Sequence, residues 1–266
     1  MFTQIIEMRV SALLLLFLFV TACSDGENVR FRGDWDPGVQ RTWAGPDFWT
    51  NRLQDWEVRD GRINCIYTGH NRNAFLLTTG LSDISDKFKI DIKAGFINTD
   101  TSRFEENFIG IRLGVKGTFD DYRDDAVYGR GLDIGVTQSG ILFVGDPSQG
   151  KPLDSFSKDF ELEITGQESS KGGYFLKVTF KSIMEDEPVT LLSYDTLSAS
   201  SLSGGIALVS HFEYNRNTPA SWFDEIVIGG PRAQSFPERA FGPVLFNQYT
   251  LSKGTLKMTA QLAPIG

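Results

Sequence analysis

Histidine is scarce in this chain, with only His70 and His211 among 266 residues. A phosphate-hydrolysing centre of two metal ions needs several histidine and aspartate ligands that converge on both ions. Neither histidine lies in the Asp-x-His or Gly-Asn-His contexts that supply such ligands. The sequence therefore argues against metal-dependent phosphate hydrolysis by this chain itself.

Clusters of basic residues and long apolar runs are missing as well. The formal net charge is −8, and a protein that neutralises nucleic-acid phosphates needs a basic face, so no nucleic-acid partner is expected. The most extended apolar run covers residues 10–20, near the N-terminus. It is too short to cross a bilayer as a mature helix and is typical of a signal peptide.

Cysteine is equally rare, with Cys23 and Cys65 alone. Residues 20–23 read Val-Thr-Ala-Cys and resemble a bacterial lipobox, which implies a lipoprotein signal peptide over residues 1–22 and lipid on Cys23. An ordinary cleavage site is the alternative. The acidic stretch 24–27 resembles the export signal of surface lipoproteins in Bacteroidetes-type bacteria. These features predict a lipid anchor in the membrane of the bacterial cell envelope, at the outer membrane or cell surface. Cys65 is then expected to be a buried, inert thiol.

Strand patterns fill most of the remaining chain, without a convincing helical period. Residues 23–45 are polar and are predicted to form a tether. Between 46 and 230, short runs alternate apolar and polar residues, as along 88–94, 109–115 and 160–164. Asp60-Gly61 has the composition of a type I′ hairpin turn. The sequence predicts an all-β domain of two antiparallel sheets packed face to face.

Two glycine-bounded strands resemble the end of a concanavalin A-like (laminin G-like) jelly roll. Residues 204–210 read Gly-Gly-Ile-Ala-Leu-Val-Ser, and residues 222–230 read Trp-Phe-Asp-Glu-Ile-Val-Ile-Gly-Gly. The resemblance implies a jelly-roll sandwich over 46–230 in which the last strand pairs back and completes both sheets. Relatives that cleave 3-keto-glycosides share this ending, but their likeness here is one of fold alone.

The C-terminal residues follow a different pattern. Residues 231–243 are predicted to be a linker, and 244–266 a β-hairpin that either docks on the sandwich or begins a truncated second domain. Segments 43–56, 69–73 and 248–266 resemble the N-terminal region of alkaline phosphatase D-like lipoproteins of Bacteroidetes-type bacteria. That resemblance implies an adjoining metallophosphoesterase domain as a partner.

Candidate ligand-binding residues lie at predicted strand ends, where jelly-roll loops gather. Both histidines precede an Asn-Arg-Asn triplet, and planar polar side chains with nearby aromatics suit neutral sugars. Arg112 and Asp133 are flanked by glycines and are expected to line the concave side. A structural role, with amides satisfying loop backbone and Arg112 paired with Asp133, is the alternative. The candidates are His70, Asn71, Arg72, Arg112, Asp133, His211, Tyr214, Asn215 and Arg216.

Two groups of carboxylates also have alternative interpretations. Asp159, Glu161 and Glu163 alternate along one strand, as in jelly-roll glucanases, but a solvated outer face is the simpler explanation. Asp224 and Glu225 are consecutive in mid-strand, so one of them is expected to point toward apolar side chains. Asp224 is therefore a candidate ligand of a structural Ca²⁺, together with the acidic loop 119–125, or an acceptor of backbone hydrogen bonds. No other cofactor is expected.

These features combine into one functional hypothesis. The chain is predicted to be a lipid-anchored recognition or scaffold module of the cell envelope, without catalysis of its own, that serves glycans or an adjoining phosphoesterase. The alternative is a glycoside-cleaving enzyme of the jelly-roll type.

Overall fold

The regular secondary structure in the described part of the chain is mostly β-strand. The computed structural model describes residues 28–98, 107–170, 173–184, 190–214 and 217–263. Within these residues, two antiparallel sheets have eight strands each, and a third sheet is a separate pair. The predicted all-β jelly-roll sandwich, followed by a C-terminal hairpin, is confirmed.

The strands and helices have the following bounds. In chain order the strands are β1 (Val29–Gly33), β2 (Phe48–Thr50), β3 (Trp56–Arg59), β4 (Arg62–Cys65), β5 (Arg72–Leu81), β6 (Phe88–Phe96), β7 (Phe108–Lys116), β8 (Arg130–Thr137), β9 (Ile141–Val144), β10 (Lys151–Pro152), β11 (Asp159–Glu168), β12 (Tyr174–Ser182), β13 (Thr190–Leu197), β14 (Gly204–His211), β15 (Ser221–Gly229), β16 (Ala233–Ser235), β17 (Val244–Ser252) and β18 (Thr255–Leu262). The helices are α1 (Tyr122–Tyr128) and α2 (Ala199–Leu202), with 3₁₀ turns at Leu53–Asp55, Pro147–Gln149 and Pro237–Arg239. The described residues include no helix long and apolar enough to cross a membrane.

The first sheet has the order β13-β12-β11-β6-β15-β4-β3, with β1 paired to β15. The second sheet has the order β10-β9-β8-β7-β14-β5-β16, with β2 paired to β5. The core lies between the sheets because alternate residues of each strand are apolar. In β6, for example, Ile90 and Ile92 are buried while Lys89 and Lys93 reach the outer face. Each large apolar side chain buried in this way stabilises the fold by about 1.5–3 kcal/mol.

The predicted closing strand holds the first sheet together. β15 pairs with β4 on one side and with β6 on the other, and its second half also pairs with β1. The β3–β4 hairpin turns at Asp60 and Gly61, whose φ angles are 56° and 73°. Both values are positive, as the predicted type I′ turn requires. The predicted closing strand and the predicted hairpin at Asp60 and Gly61 are therefore neighbours in the first sheet.

Two segments outside the predicted domain belong to the sandwich. The tether predicted for 23–45 is wrong from Val29 onward, because β1 pairs with β15 and the nearby Trp35 and Trp43 are buried. The predicted linker 231–243 contains β16, which pairs with β5, and the fully buried Arg232. Residues 1–27, which include Cys23, lie outside the described residues.

The acidic loop 119–125 contains a helix that the sequence analysis did not predict. Asp121 caps α1, and its side chain accepts a hydrogen bond from the Arg123 backbone N–H. The same arginine holds the pKa of the Asp121 carboxyl at about 2, below its usual range. A helix of seven residues is too short to give a helical period in the sequence.

Candidate functional site

A cleft of about 550 Å³ lies on the outer face of the second sheet. Its floor comes from β7 and β8, one wall from the turn before β5 and the end of β14, and the other from the end of α1. The residues that line it include Asn71, Phe108, Arg112, Tyr128, Asp133 and His211.

The polar floor of the cleft is a fixed ion pair. Arg112 and Asp133 are directly opposite on β7 and β8. Arg112 Nε donates to Asp133 Oδ1 at 2.6 Å and Nη2 donates to Oδ2 at 2.9 Å, which is the bidentate geometry of a strong Arg–carboxylate pair. Arg112 Nη1 also donates to Asn71 Oδ1 at 2.8 Å. The three side chains are thereby held in fixed positions.

The two histidines meet at the end of the cleft. Their ring centroids are 5.3 Å apart with an interplanar angle of 82°. His211, the last residue of β14, stacks on Phe108 of β7 at 5.1 Å and 9°. Its Nδ1 accepts the Asn71 backbone N–H at 3.3 Å, so the neutral ring carries its proton on Nε2. That nitrogen lies 2.9 Å from Glu213 Oε1, to which it donates.

The turn that carries His70 and Asn71 is held by other amides. Asn71 has a φ of 50°, a conformation that asparagine tolerates better than most residues. Its carbonyl oxygen accepts from Asn51 Nδ2 at 2.6 Å and from Asn73 Nδ2 at 3.3 Å. Asn51 Oδ1 in turn accepts the Asn73 backbone N–H at 3.1 Å. The structural role that was left open for these asparagines is therefore present, and it fixes the side chain of Asn71 at the cleft.

Two of the other candidates point away from the cleft. Arg72 is buried, and its Nε lies 2.6 Å from Oδ2 of the buried Asp55. Its Nη1 donates to the His70 carbonyl oxygen at 3.0 Å, so Arg72 supports the turn from behind. Tyr214 is partly buried against the core, with its ring 6.0 Å from that of Phe212. Asn215 and Arg216 lie outside the described residues.

Three residues of this region were not predicted from the sequence. Glu213 follows His211 by two positions, so a search for carboxylates near the histidines would have found it. Phe108 pairs with His211 across the strands, which only the register reveals. Tyr128 ends α1 at the rim of the cleft with 74% of its surface exposed, and no sequence signal placed that helix.

Solved structures match this chain, whereas no protein-family model and no curated protein matches it. Lectin II from Ulex europaeus aligns with a TM-score of 0.49 at 7% identity, over 78% of this chain and 100% of that chain. The Ca²⁺-bound exoplasmic/lumenal domain of VIP36 gives 0.45 at 9%, over 69% and 82%. The alginate lyase Aly36B gives 0.45 at 9%, over 76% and 97%. With identities of 7–9% and TM-scores below 0.5, these similarities assign no family and no role to this chain.

The alternating carboxylates of β11 lie far from the cleft in the topology, on the outer face of the first sheet. There they alternate with lysines of neighbouring strands: Lys89 Nζ is 3.0 Å from Glu163 Oε2, and Lys93 Nζ is 3.7 Å from Glu161 Oε1. Asp159 Oδ1 accepts from Trp222 Nε1 at 3.2 Å. This mixed-charge face favours the solvated interpretation over a glucanase-like pair.

Both carboxylates of β15 point outward, contrary to the strict alternation assumed in the sequence analysis. A bulge lies between Asp224 and Val227, and Glu225 has a φ of 45°. The bulge shifts the alternation, so Phe223 and then Ile226 face the core. Partial burial raises the pKa of Asp224. In the described part of the chain Asp224 belongs to no group of three acidic, histidine or cysteine ligands, and Ca²⁺ binding there stays a prediction.

Proposed function

We propose that this chain is a glycan-binding module and that the cleft on the outer face of the second sheet binds the sugar. The observation that carries the proposal is the exposed ring of Tyr128 beside the fixed polar floor of Arg112, Asp133 and Asn71. An aromatic ring can cover the C–H face of a sugar, while a few fixed polar groups bind its hydroxyls.

The floor keeps hydrogen-bonding capacity for such a ligand. A guanidinium has five N–H donors, and Arg112 uses three of them on Asp133 and Asn71. Each Asp133 oxygen accepts one of these bonds and has lone pairs left. Because the groups are already positioned, little side-chain entropy is lost when a ligand binds.

The direct test is calorimetric titration with a panel of neutral and acidic oligosaccharides. Tyr128→Ala should weaken the binding of the best ligand about tenfold, the value expected for the loss of one stacked ring. Tyr249→Ala is the matched control, because Tyr249 is 69% exposed on the C-terminal hairpin and should leave affinity unchanged. Equal affinity of the two variants, or no binding by the parent chain, would exclude the cleft as a glycan site. Release of sugar during the titration would instead favour the glycan-cleaving alternative.

We also propose that the module is held at the bacterial cell envelope, at the outer membrane or cell surface, by lipid on Cys23. The support is the Val-Thr-Ala-Cys sequence at 20–23. Metabolic labelling with an alkyne fatty acid should mark the parent chain and leave Cys23→Ser unmarked.

The further proposal of an adjoining metallophosphoesterase partner rests on the resemblance of segments 43–56, 69–73 and 248–266. Co-purification of a phosphoesterase with the chain would test it.

A further inference from the structure

We propose that His70, His211 and Glu213 bind a divalent first-row transition metal, such as Zn²⁺, at the edge of the cleft. Each residue offers one ligand atom, and the three atoms lie within 4.8 Å of one another. His211 Nε2 is 2.9 Å from Glu213 Oε1, and His70 Nε2 is 3.7 Å from Glu213 Oε2. Two imidazoles and one carboxylate are a ligand set that zinc takes at open sites in proteins.

Two of the three separations between ligand atoms agree with tetrahedral coordination. With metal–ligand bonds of about 2.0–2.1 Å, two ligand atoms of a tetrahedral site lie about 3.3 Å apart. The two measured separations, 2.9 and 3.7 Å, fall on either side of that value. Rotation of the Glu213 carboxylate and the His70 ring would bring both separations to that value. The ion also has to replace two hydrogen bonds, from His211 Nε2 to Glu213 Oε1 at 2.9 Å and from His70 Nε2 to the Glu213 carbonyl oxygen at 3.1 Å.

The surrounding residues hold the three ligands in place. His211 is stacked on Phe108, and the Glu213 backbone N–H donates to Asn107 Oδ1 at 2.8 Å. The turn that carries His70 is fixed by the bond from Arg72 Nη1 to the His70 carbonyl oxygen. Metal sites depend on support of this kind for the orientation of their ligands.

The choice of metal follows from the ligand atoms. Ca²⁺ takes six to eight oxygen ligands, which two imidazoles and one carboxylate cannot provide. Imidazole instead suits Zn²⁺, Cu²⁺, Ni²⁺ and Fe²⁺. Because His70 is 59% exposed and His211 lines the cleft, the remaining coordination positions face solvent and are open to water or to a bound molecule.

The hydrogen bonds that His211 already makes oppose metal binding. In the described state the Nε2 proton lies between His211 and Glu213, and Nδ1 accepts the Asn71 N–H at 3.3 Å. A metal on His211 Nε2 has to replace the hydrogen bond from this nitrogen to Glu213. This loss opposes binding, so we expect weaker affinity than that of a closed structural zinc site.

The test uses the metal alone, with the full chain carrying Cys23→Ser so that no accessible thiol competes. After treatment with a chelator, the protein is titrated with Zn²⁺ by calorimetry and with Co²⁺ by visible absorption. We expect one ion per chain, and we expect His70→Ala and Glu213→Gln each to lower the affinity at least about tenfold. Glu163→Gln is the matched control, since Glu163 is also a partly exposed glutamate but lies on the outer face of the first sheet, beside Lys89.

The titration results either support or overturn the metal site. Unchanged Zn²⁺ affinity in both His70→Ala and Glu213→Gln overturns the site, as does an affinity for Ca²⁺ equal to that for Zn²⁺. Glu213→Gln keeps the shape of the side chain, so its loss of binding together with an unchanged melting temperature in the absence of metal supports coordination and not misfolding. None of these results depends on whether the cleft binds a glycan.

Discussion

At the scale of single residues, Cys65 shows how completely the core excludes water. The thiol is fully buried in β4, and its Sγ lies 3.3 Å from the Tyr67 carbonyl oxygen. Burial raises the pKa of Cys65 to about 12. The thiol therefore stays protonated in the folded protein at any pH at which the sandwich is normally studied, which is the inert behaviour that its sequence context indicated.

This shift predicts a specific loss of stability in alkali. Between about pH 9 and pH 12 the thiol ionises in the unfolded chain but not in the folded one, so the free energy of unfolding falls by about 1.4 kcal/mol per pH unit. Cys65→Ala has no thiol to ionise, so its free energy of unfolding lacks this dependence on pH. Urea unfolding at pH 8, 9 and 10 should show the parent more stable at pH 8, with the difference from the variant shrinking as pH rises. A constant difference across that range would contradict the assigned burial.

Neighbouring residues in one triplet show what could be predicted at this scale. Both histidines were placed correctly at strand ends, because apolar runs end there. Arg72 belongs to the same triplet as Asn71, yet it faces Asp55 on the core side, as the alternation of β5 requires. The sequence contains no sign of that partner, because Asp55, in the 3₁₀ turn before β3, reaches Arg72 of β5 only in the folded sandwich.

At the scale of secondary-structure elements, the bulge in β15 decides where two carboxylates point. Glu225 adopts a φ of 45°, which costs a residue with a side chain about 1–2 kcal/mol. Strict alternation along the strand gave the wrong face for this segment because one extra residue shifts the period by one position. A bulge of this kind has no reliable sequence signature without a glycine, and here glutamate occupies the position.

The bulge predicts that Glu225→Gly is neutral or stabilising by about 0.5 kcal/mol, since glycine accepts positive φ without strain. Glu163→Gly is the matched control: Glu163 lies in the regular strand β11 and, like Glu225, forms an ion pair with a lysine. There glycine should cost about 1 kcal/mol, because it adds freedom to the unfolded chain. Chemical unfolding measures both variants, and an equal loss in the two would argue against the bulge.

At the scale of the whole molecule, the two sheets were predictable, but the pairing of the N-terminal strand β1 with β15 was not. Alternation along each strand signals a half-buried sheet, and it identified most of the sandwich. The pairing of β1 with β15 joins the two ends of the domain, from Val29 to Gly229, and local sequence cannot reveal it. The polar residues that made 29–45 resemble a tether are those on the solvent side, while Phe31 and Trp35 fill the core.

The C-terminal hairpin contrasts with this closed sandwich. Along β17 and β18 in the described chain, apolar side chains such as Tyr249, Leu251 and Met258 are exposed, and the two strands pair with each other. A hairpin that buries so little apolar surface adds little to the stability of the sandwich. Ending the chain at Pro243 should therefore change its melting temperature by less than about 2 °C.

Removal of β1, at the N-terminal end of the described chain, should lower the melting temperature much more than removal of the hairpin. A chain that begins at residue 34 loses the pairing with β15 and the burial of Phe31, and its melting temperature should fall by at least about 5 °C. Thermal unfolding followed by circular dichroism measures both truncations. If removal of the hairpin cost as much as removal of β1, the hairpin would have to be packed on the sandwich, contrary to the exposure of its side chains.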